Sequence, residues 1–161
     1  VESWLRKLNL MQYKKCWIEK RHINEIKRIE SLLDDNFSNL TPRQFERFIG
    51  KLFEKMGYNV KITPSTGDFG ADIIAKKGEE TILIEIKKYT EGHNVTPKEV
   101  QRTLGAMWKY KANKAVFITT SDFTVRAREI EYESPIELWN KRILHKMVKK
   151  YFIDKQLSNL K

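Results

Sequence analysis

The sequence predicts an α/β domain, and three observations carry the prediction. Helical and strand periodicities alternate from about residue 41 to 140, two T-P-x-Q/E helix starts punctuate them, and a Gly78-Glu79 turn divides two apolar strands. A chain of 161 residues has room for one such domain with helical extensions, and it buries enough surface to need neither disulfide nor structural metal.

From the N-terminus to residue 39, Trp4, Leu5, Leu8 and Met11, then Ile23, Ile26, Ile29, Leu32 and Leu33 recur at spacings of three and four, which predicts two helices. Charges nearly balance there, and the segment reads as a packing or dimerising arm. At Thr41 a cap, Pro42 at the first helical position and Gln44 form a capping box ahead of Phe45, Phe48, Ile49, Leu52, Phe53 and Met56. Gly57 is the expected stop. The period then changes to that of strands at Tyr58, Val60 and Ile62, followed by a Pro64-Ser65-Thr66-Gly67 turn and by strands over Ala71 to Lys77 and Glu80 to Lys87. Gly78 supplies the positive φ of the hairpin between the last two. Thr96-Pro97-Lys98-Glu99 opens a helix through Val100, Leu104 and Met107, and a strand over Lys114 to Thr119 follows. A short helix after Thr124, an edge strand over Pro135 to Trp139 and a helix from Asn140 complete the chain.

Charge narrows the partner. Thirty-one Lys and Arg against twenty-one Asp and Glu give a net charge of +10, and the stretch from Lys141 onward carries seven Lys and Arg against one acid. Such a field concentrates polyanions, of which nucleic acid is the commonest, although a merely Lys-rich surface has the same composition. The lone Cys16 excludes an intrachain disulfide and a multi-cysteine zinc site and fits a reducing compartment. The longest apolar run is Ala115 to Ile118 and the start lacks a signal-peptide core, so a soluble, cytoplasmic protein with no membrane association is expected.

The chemistry is concentrated in the central hairpin. Both strands are rich in Ile, Leu and Ala, so the sheet is expected to be covered on both faces, where a charge is costly. A turn centred on Gly78-Glu79 places Asp72 opposite Glu85, and Lys87 projects on the same face two residues on. Two close carboxylates repel unless a cation lies between them, and hard oxygen donors suit Mg²⁺, with Mn²⁺ as substitute. A metal-activated water could then attack phosphorus, with Lys87 orienting it or stabilising transition-state charge. The plain alternative is a loop-ending Asp72 beside an ordinary Glu85–Lys87 ion pair.

The run Gly67 to Tyr89, GDFGADIIAKKGEETILIEIKKY, resembles the D-x(n)-E-x-K signature of the PD-(D/E)XK nuclease superfamily. The wider frame, LTPRQFERFIGKLFEKMGYNV before it and VTPKEVQRTLGAMWKY and KAVFITTSDFT after it, resembles the catalytic domain of Mrr-like restriction endonucleases over about residues 40 to 140. The resemblance implies a restriction-endonuclease-like core at 40–140, a mixed central sheet flanked by helices, with an N-terminal helical arm at 1–39 and a basic C-terminal helix at 141–161. It implies Asp72 and Glu85 as metal ligands with the Ile86 carbonyl as a third, Lys87 as the signature lysine, Glu46 as an acid that approaches the metal, and Gln101 as a helix residue near the site. Where the family often has glycine beside the signature Asp, this chain has Ala71 and Ile73.

The function implied is a Mg²⁺-dependent DNA endonuclease that hydrolyses phosphodiesters through metal-activated water, acting on double-stranded DNA as a homodimer. Archaeal Holliday junction resolvases resemble the same arrangement of early-helix Glu, Asp and E-x-K, and a DNA-binding module that has lost catalysis is the third reading. Candidates for gripping phosphate are Lys88, Lys109, Lys111, Arg126, Arg128, Lys146, Lys149 and Lys150.

Other motifs carry less. Asp68-Phe69-Gly70 spells a kinase metal motif without the rest of a kinase, and is read as a turn with Asp68 as an accessory acid at most. His22, His93 and His145 share no ligand spacing, and Trp4, Trp17, Trp108 and Trp139 are read as core.

Overall fold

The computed structural model describes residues 2–64 and 70–158. The turn beyond Pro64, together with Asp68 and Phe69, and Lys161 of the basic tail lie outside the described residues.

One long helix, α1 (Glu2–Asp34), occupies the N-terminal segment where two were expected. The sequence holds no Pro or Gly before Pro42, so nothing interrupts a run of good helix formers that extends for about 50 Å. Its end packs on the domain through the buried Ile29, Leu32 and Leu33. Asn36 and Phe37 then turn the chain with φ of 51° and 60°. Phe37 is fully buried against Phe45, Phe48 and His145, which holds it in a backbone region that a bulky side chain rarely adopts.

The alternating segment follows the predicted order closely. Helix α2 (Pro42–Lys55) starts at the Thr41 capping box and stops before Gly57, whose φ is +94°. Strands β1 (Asn59–Ile62), β2 (Ile73–Lys77) and β3 (Glu80–Lys87) form an antiparallel meander. Helix α3 (Pro97–Tyr110) then crosses to β4 (Lys114–Thr119), and α4 (Val125–Glu133), capped by Thr124, crosses to β5 (Ile136–Trp139). Because β3, β4 and β5 are parallel, the sheet is mixed, in the order β1-β2-β3-β4-β5. The crossovers α3 and α4 cover one face through Val100, Ala106, Met107 and Ala127. The end of α1, α2 and the C-terminal helix α5 (Lys141–Val148) cover the other. Helix α5 continues as a π-helical stretch, Lys149–Asp154, and a last turn, α6 (Lys155–Ser158).

Of the four tryptophans read as core, Trp139 alone is buried. Trp4 and Trp17 lie on the part of α1 beyond the domain's reach, and Trp108 stands on the outer side of α3, 82% exposed. Among the described residues no helix is long and apolar enough to cross a membrane.

Candidate active site

The hairpin register is the predicted one: Ile73 pairs with Ile84 and Lys77 with Glu80. Asp72 sits one residue before β2, and its N–H donates to the carbonyl of Ile84 at 2.9 Å, while its own Oδ2 accepts from the N–H of Ile86 at 2.7 Å. In an extended strand the N–H and C=O of one residue face the same side, so the carbonyl of Ile86 also faces Asp72. Behind Asp72, the backbone and hydroxyl of Thr63 both donate to its carbonyl.

Glu85 is 1% exposed in the middle of a five-stranded sheet, a location that a carboxylate occupies only with partners. Two cations supply them on the same oxygen. Lys87 Nζ lies 2.7 Å and the Arg102 guanidinium 2.9 Å from Glu85 Oε1. The other oxygen, Oε2, is buried without a hydrogen-bond partner. Gly70 stands against it: with a φ of +90°, a Cβ built there would lie 3.4 Å from Glu85 Oε2 and 3.3 Å from Arg102 Nε. The missing side chain leaves the space beside that orphaned oxygen.

Burial, and next the neighbouring charge of Glu85, push the Asp72 carboxyl up to about 7, against the opposing pull of the Ile86 N–H and Lys87. Glu46 on α2 adds to the repulsion from further off, and is itself paired with Arg43 at 2.7 Å. Burial therefore outweighs the pull of the nearby cations at Asp72. Among the described residues no three His, Cys, Asp or Glu side chains converge as a metal cage. Mg²⁺ does not need one, since it commonly takes one or two carboxylates and fills the rest of its shell with water and substrate oxygens. An unpartnered Glu85 Oε2 beside an Asp72 whose charge is penalised is a donor pair that fits such an ion.

The structure brings together Asp72, Glu85, Ile86 and Lys87, with Glu46 at the margin. Gln101 is exposed, and the residue of α3 that reaches Glu85 is its neighbour Arg102, which sequence reasoning missed. The signal was present as a cation five residues after Pro97 on the helix following E-x-K, but helix phase had to be fixed before it could be assigned. Tyr89 was missed as well; it donates to Glu99 at 2.5 Å and stacks on His93 beside Arg102, and burial with that hydrogen bond raises its hydroxyl to about 12.

The phosphate-gripping candidates separate by place. Lys88 donates to the carbonyl of Ser38 at 2.8 Å, which ties the strand end to the turn after α1. Arg126 and Arg128 lie on the first turns of α4, at the carboxyl end of β4 and so at the site's end of the sheet; Arg128 pairs with Asp122. Lys146, Lys149 and Lys150 are exposed on the C-terminal helix. Lys109 and Lys111 sit at the far end of α3, beside the start of β4, and do not share the site.

Comparison with known proteins gives a consistent result. Residues 37–148 match the family Mrr_cat, described as restriction endonuclease. The type IV methyl-directed restriction enzyme EcoKMrr of Escherichia coli is 29% identical over a 124-residue alignment that covers 71% of this chain and 40% of that protein. An uncharacterized protein of Sinorhizobium fredii, y4cE, is 28% identical over 99 residues, 59% of this chain and 25% of that one. The chain thus spans less than half the length of these curated relatives. Among solved structures, the MspJI restriction endonuclease in complex with a 27-mer oligonucleotide superposes with a TM-score of 0.57 at 20% identity, covering 84% of this chain and 34% of that one. The DNA modification-dependent restriction endonuclease AspBHI gives 0.59 at 18% identity, covering 85% and 40%. At these identities the likeness is one of fold.

Proposed function

Because the chain belongs to the restriction endonuclease family Mrr_cat, we propose that it is a DNA endonuclease that uses a divalent cation, Mg²⁺ by its donor chemistry, to hydrolyse phosphodiester bonds. The observation that carries the reading is the buried Glu85, set opposite Asp72 by the hairpin register, held by Lys87 and Arg102 on one oxygen and left without a hydrogen-bond partner on the other, beside Gly70.

Asp72 and Glu85 would hold the ion, with the Ile86 carbonyl and Glu46 nearest as further donors. When bound, the cation supplies positive charge to the phosphodiester oxygens and lowers the pKa of a water. The protein's own groups do the remaining work. Lys87 is 28% exposed while its partner Glu85 is not, so its ammonium lies at the mouth of the site, where it can meet a phosphate oxygen or orient the attacking water. Arg102 holds Glu85 by the oxygen that Lys87 also meets, and its own 57% exposure leaves guanidinium donors for substrate. The Ile86 N–H fixes the rotation of the Asp72 carboxylate.

The test is cleavage of supercoiled, linear, methylated and four-way-junction DNA by wild type and Lys87→Ala, each with Mg²⁺, Mn²⁺ or EDTA. Metal-dependent cutting by wild type, reduced by about 10²-fold or more in the variant, is expected. Full Mg²⁺-dependent cutting by Lys87→Ala would refute the assignment. Cutting confined to junctions would change the substrate from restriction to resolution.

A further inference from the structure

One strand over from Lys87, a groove of about 970 Å³ opens at the carboxyl ends of β4 and β5. Crevices at this end of an open α/β sheet are where ligands bind, because loops diverge there to opposite faces. Here the β4–α4 loop forms one wall and α5 with its π-helical continuation the other. Six cations line it: Arg128, Lys141, Arg142, Lys146, Lys149 and Lys150. Of the three acids in the lining, Asp122 is engaged by Arg128 and Asn140, which leaves Glu91 and Asp154.

Among the described residues no carboxylate lies within salt-bridge distance of Lys141, Arg142, Lys146, Lys149 or Lys150. These cations occupy successive turns of one helix and repel one another. His145 among them is pushed below its usual range by burial, then by Lys141 and Lys149. The five run along about 13 Å of helix at 1.5 Å per residue. One phosphate cannot bridge that length, whereas a nucleic-acid strand sets a phosphate about every 3.4 Å along the duplex axis.

The groove is also joined to the reacting end of the sheet. Lys87 pairs with Thr119 across β3 and β4, and the next residue, Thr120, which lines the groove, donates its N–H to the carbonyl of Lys87 at 3.3 Å. Adjacent strands are about 4.8 Å apart, so the groove opens one strand from the backbone of Lys87, at the same end of the sheet.

We propose that this groove is the track for the phosphodiester backbone of one DNA strand, holding several successive phosphates to one side of the bond presented to Asp72, Glu85 and Lys87. The inference deepens the endonuclease reading and rests on it for the choice of DNA as the polyanion.

Binding of a labelled duplex of about 24 base pairs to the full chain, followed by fluorescence anisotropy in EDTA from about 50 to about 300 mM NaCl, tests it without cleavage. The triple variant Lys146→Ala/Lys149→Ala/Lys150→Ala should lose roughly 2 to 3 from the slope of log affinity against log salt, and bind about 10- to 100-fold more weakly at about 100 mM salt. A control with the same charge loss, Lys51→Ala/Lys61→Ala/Lys76→Ala, should shift the slope by less than about 1. All six side chains belong to exposed residues, so both proteins should fold, and the single reversal Lys146→Glu gives a further check. Equal losses in the two triples, or none in the groove triple, would overturn the proposal. Cleavage in Mg²⁺ separates the two readings. A wild type that cuts while the groove triple binds undiminished sinks the track alone; a wild type that never cuts while the groove triple loses its slope sinks the nuclease and leaves the track.

Discussion

Replacing Asp72 by Asn should make the metal-free protein more stable while destroying its activity. Asn keeps an oxygen to accept the Ile86 N–H and removes the charge that burial and Glu85 penalise. The carboxyl is raised from 3.8 to about 7, so the folded state holds this proton more tightly than the unfolded chain. Stability from that proton is present below about pH 4 and is lost as pH rises to about 7. At 1.36 kcal/mol per unit, the loss is about 4 kcal/mol when complete. Urea unfolding in EDTA should therefore find Asp72→Asn more stable than wild type by about 2 to 4 kcal/mol at about pH 8, and equal to it near pH 4. Millimolar Mg²⁺ should narrow the gap by stabilising wild type alone, by about 2.7 kcal/mol at a hundred times its dissociation constant. A variant less stable than wild type at pH 8, or a difference independent of pH, would refute the argument that Asp72 is a carboxylate penalised by burial and by Glu85 and awaiting a cation.

Two further outcomes follow from contacts that only the structure reveals. Arg102→Ala should cost about 1–3 kcal/mol of stability by leaving the buried Glu85 with one cation, and should raise the Mg²⁺ concentration needed for half-maximal cleavage; Arg102→Lys should restore part of both, and an unchanged metal requirement would reduce Arg102 to a surface residue. Asn36→Ala removes the hydrogen bond to the Thr120 carbonyl and the contact with His145 and places alanine at a φ of 51°, so it should cost about 1–3 kcal/mol in urea unfolding. Asn36→Gly accepts the backbone and loses only the side-chain bonds, and should fall between the two; equal stabilities of Gly and Ala would show that backbone geometry contributes nothing.

The parts of this protein legible in its sequence are those governed by near neighbours along the chain. The Thr41 and Thr96 capping boxes, the Gly57 stop and the Gly78 turn each involve residues within a few positions of one another, and the turn alone fixes a register that brings Asp72 against Glu85 and Lys87. The resemblance to a restriction endonuclease core rests on that same stretch, and the family match agrees with it. What tertiary structure decided involves partners far apart in sequence or a phase that spacing leaves undetermined. Sequence distinguished neither Gln101 from Arg102 nor buried from exposed tryptophan, because the rotation of α3 and the reach of α1 depend on the sheet they pack against. The side-chain amide of Asn36 meets the Thr120 carbonyl across 84 positions of chain, and the cations of α5 face the β4–α4 loop only because β5 delivers that helix to the other side of the sheet. Local sequence determined which elements form and which acids share a face; long-range packing determined which cations reach them, because a side chain's neighbours across a core are set by how the elements are stacked.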